Sequence, residues 1–264
     1  MTIKGEHKTI AARFSAAAST YNASATVQRS VAKRLGAMLA GDETFNRILE
    51  IGCGTGLLTT RLCRLFPRAR IDALDMADGM VAQCRARLAN ASRLHCHVAD
   101  LNAFRAEALY PLIVSSSALH WMHPMAGVMK TLAGMLTGQG RLVCALMVRG
   151  TLAELQAARQ RTVAHKPPAR RLPTMRTVRA ALANAGLCIE SEQTESRRQV
   201  YASAGDLLRQ LHDQGLTGGP FARSGQLLNR ADLHRLASDY DRRYRDGGGV
   251  YASFEVAYFR ARKE

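Results

Sequence analysis

The 264-residue chain is poor in acid and has no long apolar run. No stretch approaches the roughly 20 uninterrupted apolar residues that a membrane-spanning helix needs. The opening MTIKGEHKTIAARFSAAAST lacks the continuous apolar segment of a secretory leader. Six cysteines, at 53, 63, 84, 96, 144 and 188, form no CxxC pair, so they read as reduced, mostly buried thiols of a cytoplasmic protein. No Gly-Lys-Ser/Thr closes the glycine-rich stretch, which excludes a Walker A phosphate loop. Asp and Glu number 21 against 37 Lys and Arg, a net charge of +16. Such a surface concentrates polyanions, either nucleic acid or an acidic protein partner.

With 47% hydrophobic residues the chain can bury a proper core. Residues 7–40 alternate Ala-rich helical stretches with the small polar break STYNAS. Short apolar runs then alternate with helical patterns: RILEIG (47–52), ARIDALD (69–75), RLHCHVAD (93–100), PLIVSSS (111–117) and GRLVCALMV (140–148). That alternation predicts βαβ units: an α/β, Rossmann-like, mostly parallel sheet with helices on both faces and a ligand crevice at the carboxyl ends of the strands. Helices follow over 151–166 and 174–186, the second with Thr174 as N-cap and Gly186 as stop. LCIESEQTESRRQVYA (187–202) reads as a strand with a polar interruption, 203–245 as a basic helical insertion broken by GLTGGP, and 249–263 as a last alternating strand. The expected organisation is a single domain over 1–264, with residues 1–40 as an N-terminal helical lead or lid and 203–245 as an insertion near the acceptor site.

Gly52, Gly54 and Gly56 lie between the first strand and the next helix, in a GxGxG pattern whose dinucleotide register fails at Leu57. Glu50, beside the turn, would repel a pyrophosphate but suits an ammonium group. Asp75 ends the second strand, where a carboxylate can take both ribose hydroxyls. Asp100 ends the third and could accept from an adenine amine. A zwitterionic amino acid, a ribose and an adenine without phosphate together describe S-adenosylmethionine. The sequence here resembles the class I S-adenosylmethionine-dependent methyltransferases: EIGCGTG matches their first motif, ALDMADGM the acidic second and VADLN the third. The resemblance sets Met76 against the adenine and Asp100 and Leu101 beside it. Asp78 reads as a helix N-cap, and Ser116 at the end of the fourth strand as part of the cofactor site.

The fourth strand ends in SSSALHW, without the Asn/Asp-Pro-Pro-Tyr of base-modifying N-methyltransferases, and no cysteine follows a proline. Both absences weigh against nucleic-acid chemistry. A carboxylate acceptor needs no base, because it is ionised at neutral pH. Its transfer is then largely proximity and orientation, with an arginine to hold the carboxylate, and Arg149 is a candidate. TYNASATVQR (20–29), ALHWM (118–122), GTLAEL (150–155), RRLP (170–173), GLTGGP (215–220) and LNRADLHRLASDY (228–240) resemble the malonyl-acyl-carrier-protein O-methyltransferases of biotin synthesis. The resemblance runs over nearly the whole chain and implies methylation of the free carboxylate of a malonyl thioester. Tyr21, His120, Trp121 and Arg149, with Ser116 and Ser117, would line the acceptor site. His120 is either a base or a lining residue. An acidic acyl carrier protein would dock on basic side chains including Arg197, Arg198, Arg209, Arg223 and Arg230. Gly218-Gly219 is a hinge or a turn. Methylation of another small carboxylic acid, or of RNA, is the alternative. His95 and His97 share a strand face, but no third ligand follows at a metal-binding spacing, so no metal is expected.

Overall fold

The computed structural model describes residues 3–41, 44–166, 168, 170–217 and 228–264. Gly218, Gly219 and Arg223 lie outside them. The five apolar runs form strands β1 (Arg47–Ile51), β2 (Arg70–Asp75), β3 (Leu94–Val98), β4 (Tyr110–Ser116) and β5 (Leu136–Met147). They lie in the order β3-β2-β1-β4-β5 and are parallel throughout. Strand β8 (Gly249–Lys263) inserts antiparallel between β5 and β6 (Leu187–Tyr201), and the two-residue β7 (Arg245–Asp246) pairs with β8.

Alternation along the strands sends successive side chains to opposite faces. Ile48, Leu112 and Val143 pack with α3 (Thr26–Leu39) and α4 (Thr59–Leu65) on one face. On that same face lie α7 (Ala153–Thr162), α9 (Ala204–Asp213) and α10 (Arg230–Arg243). Leu49, Ile113 and Leu142 pack with α6 (Met125–Met135) and α8 (Met175–Ala183) on the other. Helix α5 (Asp78–Arg87) covers β2 and β3 through Val81 and Cys84. The lead consists of α1 (Ile3–Ala17), α2 (Tyr21–Ser24) and α3. Strand order reverses between β1 and β4, which opens a crevice at their carboxyl ends.

Helix starts follow local chemistry. Thr174 caps α8 by accepting from the Thr177 amide at 3.1 Å, and Asn229 with Asp232 forms a reciprocal capping box on α10. Two details differ from the sequence reading. Residues 187–201 form one strand with a single register shift near Ile189, not an interrupted one. Its polar residues fit because β6 is the sheet edge, where charge blunts edge-to-edge pairing. Asp78 is the first helical residue of α5 and Ala77 the N-cap. The Asp78 carboxylate accepts from the Gly79 amide at 2.8 Å and from the Ser15 hydroxyl, so it ties α5 to α1.

Candidate active site

The glycine turn is shaped by what surrounds it. The Gly52 and Cys53 amides both donate to the Leu74 carbonyl, at 2.7 and 3.0 Å, which lays the turn across the end of β2. Gly52 has φ +71, and a Cβ there would lie 2.2 Å from the Ala118 Cβ. Gly54, at φ +52, faces open space, and its amide donates to Asp75 Oδ2 at 2.9 Å. Gly56, at φ +87, packs against Cys84. Backbone is thereby exposed to the crevice where any side chain would fill it.

The three acids differ in surroundings. Glu50 is 1% exposed, and its Oε2 has no hydrogen-bond partner. Burial pushes its carboxyl up to about 8, against a hydrogen bond with Thr59 that draws it down. A buried carboxylate oxygen without a partner wants a cation. Burial also raises the Asp75 carboxyl, whose oxygens accept from the Ala77 and Gly54 amides. Asp100 meets His7 Nδ1 at 2.5 Å and accepts from the Asn102 amide at 2.8 Å. Burial opposes ionisation there, but these bonds outweigh it and hold the carboxyl below its usual range.

Two adjoining hollows share Met76, Leu101 and Met122. One is walled by Asp100, Asn102 and His7; the other by Gly52, Gly54, Asp75, Ser116 and Ser117. Helix α1 roofs the second with Ile10 and Phe14, and Phe14 meets the Trp121 ring edge-on at 5.4 Å. Tyr21 also lines it; burial and the nearby Asp75 raise its phenol, which therefore stays protonated and can donate. Thr55 donates to Asn22 at 2.7 Å and fastens the lead to the glycine turn.

Of the expected site residues, the crevice gathers Tyr21, Gly52, Gly54, Asp75, Met76, Asp100, Leu101, Ser116, Ser117 and Trp121. Glu50, buried on β1, and Gly56, in the glycine turn, are not among the lining residues. His120 and Arg149 stand apart from the lining. His120 is 7% exposed in the short turn Leu119–Trp121, and its Nδ1 accepts from the Met147 amide at 3.3 Å. Burial lowers its imidazole to about 3, so it is neutral at physiological pH. Arg149 is exposed, two residues beyond β5, its amide donating to the Pro173 carbonyl at 2.9 Å. The sequence reading missed His7, Ile10, Phe14, Asn22 and Met122. Ile10 and Phe14, one helical turn apart in α1, carried an apolar-stripe signal; His7 and Asn22 carried none.

Most of the docking candidates already have acidic neighbours. Arg197 pairs with Glu195 at 2.7 Å and Arg209 with Asp206 at 3.4 Å. Arg198 pairs with Asp246 at 3.2 Å and stacks over Tyr251. Arg230 is exposed at the start of α10. His97 approaches the buried Asp72 at 3.3 Å, and among the described residues no group of three His, Cys, Asp or Glu could hold a metal ion.

The donor set fits S-adenosylmethionine: an unpartnered acid oxygen on Glu50 for its ammonium, Asp75 for its ribose, and Met76, Asp100 and Leu101 around its adenine. A methyltransferase-domain model matches residues 49–142, from β1 into β5. The malonyl-[acyl-carrier protein] O-methyltransferase of Hahella chejuensis is 30% identical over 94% of this chain and 87% of its own. That of Geobacter sulfurreducens is 30% identical over 93% and 94%. The chain belongs to the malonyl-[acyl-carrier protein] O-methyltransferase family. Among solved structures, the YcgJ protein of Bacillus subtilis superposes with a TM-score of 0.64 at 12% identity, covering 88% of this chain and 98% of that one. The N-methyltransferase NodS of Bradyrhizobium japonicum, in complex with S-adenosyl-L-homocysteine, gives 0.51 at 17% identity over 90% and 86%. These two show the methyltransferase fold. The relatedness to malonyl-[acyl-carrier protein] O-methyltransferases extends past the matched domain, over the lead and the region after β5.

Proposed function

We propose that this chain transfers a methyl group from S-adenosylmethionine to the free carboxylate of malonyl-acyl-carrier protein, forming the methyl ester early in biotin synthesis, in the cytoplasm. The observation that carries the reading is the relatedness over nearly the full chain to enzymes named for that reaction. S-adenosylmethionine, when bound, supplies a methyl carbon activated by a positive sulfur, and the C–S electron pair returns to sulfur as the new C–O bond forms. Glu50 holds the ammonium end, Asp75 the ribose, and Met76, Asp100 and Leu101 the adenine. Ser116, Tyr21 and Trp121 wall the reacting end, and the roof of Ile10 and Phe14 keeps water out. Arg149, exposed two residues past β5 and outside the crevice lining, is the candidate cation for the substrate carboxylate, and Arg230, exposed at the start of α10, presents positive charge to an acidic carrier.

The test is transfer of labelled methyl to purified malonyl-acyl-carrier protein, with malonyl-CoA, free malonate and bulk RNA in parallel. Base-labile label on the carrier protein is the expected result. Label on free malonate alone, or on RNA alone, overturns the reading.

A further inference from the structure

Ser117 stands immediately after β4 in a conformation that a serine seldom takes. Its φ is +57, in the left-handed region where a side chain costs on the order of 1 kcal/mol. The backbone is held there: the Ser117 amide donates to the Ala145 carbonyl at 2.8 Å, and the next residue, Ala118, sits against Gly52. The turn is thus clamped between β5 and the glycine loop. The Ser117 hydroxyl oxygen is buried and has no hydrogen-bond partner among the described residues. Its neighbour Ser115, by contrast, donates to the Ile51 carbonyl at 2.9 Å. Other unpartnered buried side-chain atoms, on Ser24 and Gln28, sit away from the crevice, whereas Ser117 is part of its wall beside Ser116, Ala118 and Trp121.

Backbone strain and an unsatisfied hydroxyl on one residue are two separate costs. A glycine would remove both. A ligand that accepts a hydrogen bond in the crevice would satisfy the hydroxyl. The cofactor's ammonium, ribose and adenine are matched to Glu50, Asp75 and Asp100. Two acceptors remain, the cofactor's own carboxylate and that of the second substrate, and the Kd of the cofactor product separates them.

We propose that Ser117 is an acceptor-binding residue whose Oγ donates a hydrogen bond to one carboxylate oxygen of the malonyl group, leaving the other oxygen free to take the methyl. This rests on the reading of the chain as a malonyl carboxyl methyltransferase. The donor fixes the rotation of the carboxylate, so its loss weakens substrate binding and leaves cofactor binding untouched.

The experiment compares native protein with Ser117→Gly and Ser117→Asn, since glycine and asparagine both tolerate the left-handed conformation. Steady-state kinetics on malonyl-acyl-carrier protein is read beside the Kd for S-adenosylhomocysteine and the Tm. Ser117→Gly keeps or raises Tm, leaves the Kd unchanged and raises KM about tenfold or more, the scale of a hydrogen bond to a charged group. Ser117→Asn, which restores an N–H donor, recovers part of that loss. An unchanged KM in Ser117→Gly, or a KM that rises only together with the cofactor Kd, overturns the assignment while leaving the proposed reaction intact. No methyl transfer to malonyl-acyl-carrier protein by the native protein overturns both.

Discussion

Glu50→Gln isolates one carboxyl group whose ionisation and ligand binding are coupled. The group is 1% exposed, and burial lifts it to about 8 from an ordinary 4.5. At pH 7 it is mostly protonated, so pairing with a ligand ammonium first requires loss of a proton, at a cost of about 1.4 kcal/mol for one pH unit. Affinity for S-adenosylhomocysteine should therefore rise about tenfold per pH unit between roughly pH 6 and pH 8, then level off. Calorimetry in buffers of different ionisation heat should find close to one proton released per site at pH 6.5 and little above pH 8.5. The sign for stability is the reverse of that for an ordinary paired carboxylate. A carboxyl raised in the fold stabilises fully below its unfolded value of 4.5, and that contribution is lost as pH climbs towards 8. Glu50→Gln should gain roughly 3 kcal/mol of stability at pH 7, the gap from 4.5 at about 1.4 kcal/mol per unit. It should also bind the ligand more weakly at pH 8, with no pH dependence from this group. Flat native affinity from pH 6 to 8, or a variant that binds as well as native at pH 8, refutes the argument.

Gly52→Ala should abolish ligand binding and lower Tm, because its Cβ would be driven to 2.2 Å from Ala118. Gly54→Ala meets no atom and should cost only about 1 kcal/mol from its left-handed backbone, measurable by urea denaturation. Asp72→Ala should destabilise by about 3–5 kcal/mol, since it strands the Arg47 and Tyr110 groups that converge on a buried carboxylate. Ligand Kd should be unchanged at temperatures where that variant is folded. Burial opposes ionisation of Asp72, but His97, Tyr110, Arg70 and Arg47 hold it below 3.8, so its contribution is present above that value and fades as pH falls further. Asn22→Ala, which removes the acceptor for the Thr55 hydroxyl, should increase proteolysis within the lead in the absence of ligand and weaken ligand affinity severalfold.

What was legible in the sequence is whatever local chemistry decides. The strands announced themselves as short, mostly apolar runs alternating with helical patterns, and the acids at the ends of β2 and β3 could be placed by counting. Partners distant in sequence could not. His7 reaches Asp100 across 93 positions and Asn22 reaches Thr55 across 33, and neither residue sits in a telling pattern. His97, read as a strand residue without a metal-binding partner set, turns to Asp72, a buried acid mid-strand that no sequence signal singled out. The arginines show the same limit from the other side. Composition reports their charge, but only the fold reveals that Arg197, Arg198 and Arg209 lie beside acids while Arg230 is exposed at a helix start.

The titratable groups around the crevice also bear on which acceptors suit it. Tyr21 keeps its proton because burial and Asp75 both oppose its ionisation. His120, lowered to about 3, is too weak a base to take a proton at neutral pH, and its Nδ1 is engaged by the Met147 amide. Asp75 accepts from two backbone amides, and Glu50 is the acid proposed to take the cofactor's ammonium. An alcohol or a protonated amine would have to lose a proton to one of these groups before or during transfer, and each is already committed. A carboxylate asks for none, since it arrives ionised. The crevice then has only to hold its oxygen in line and exclude water, which the aromatic and aliphatic roof from α1 is placed to do.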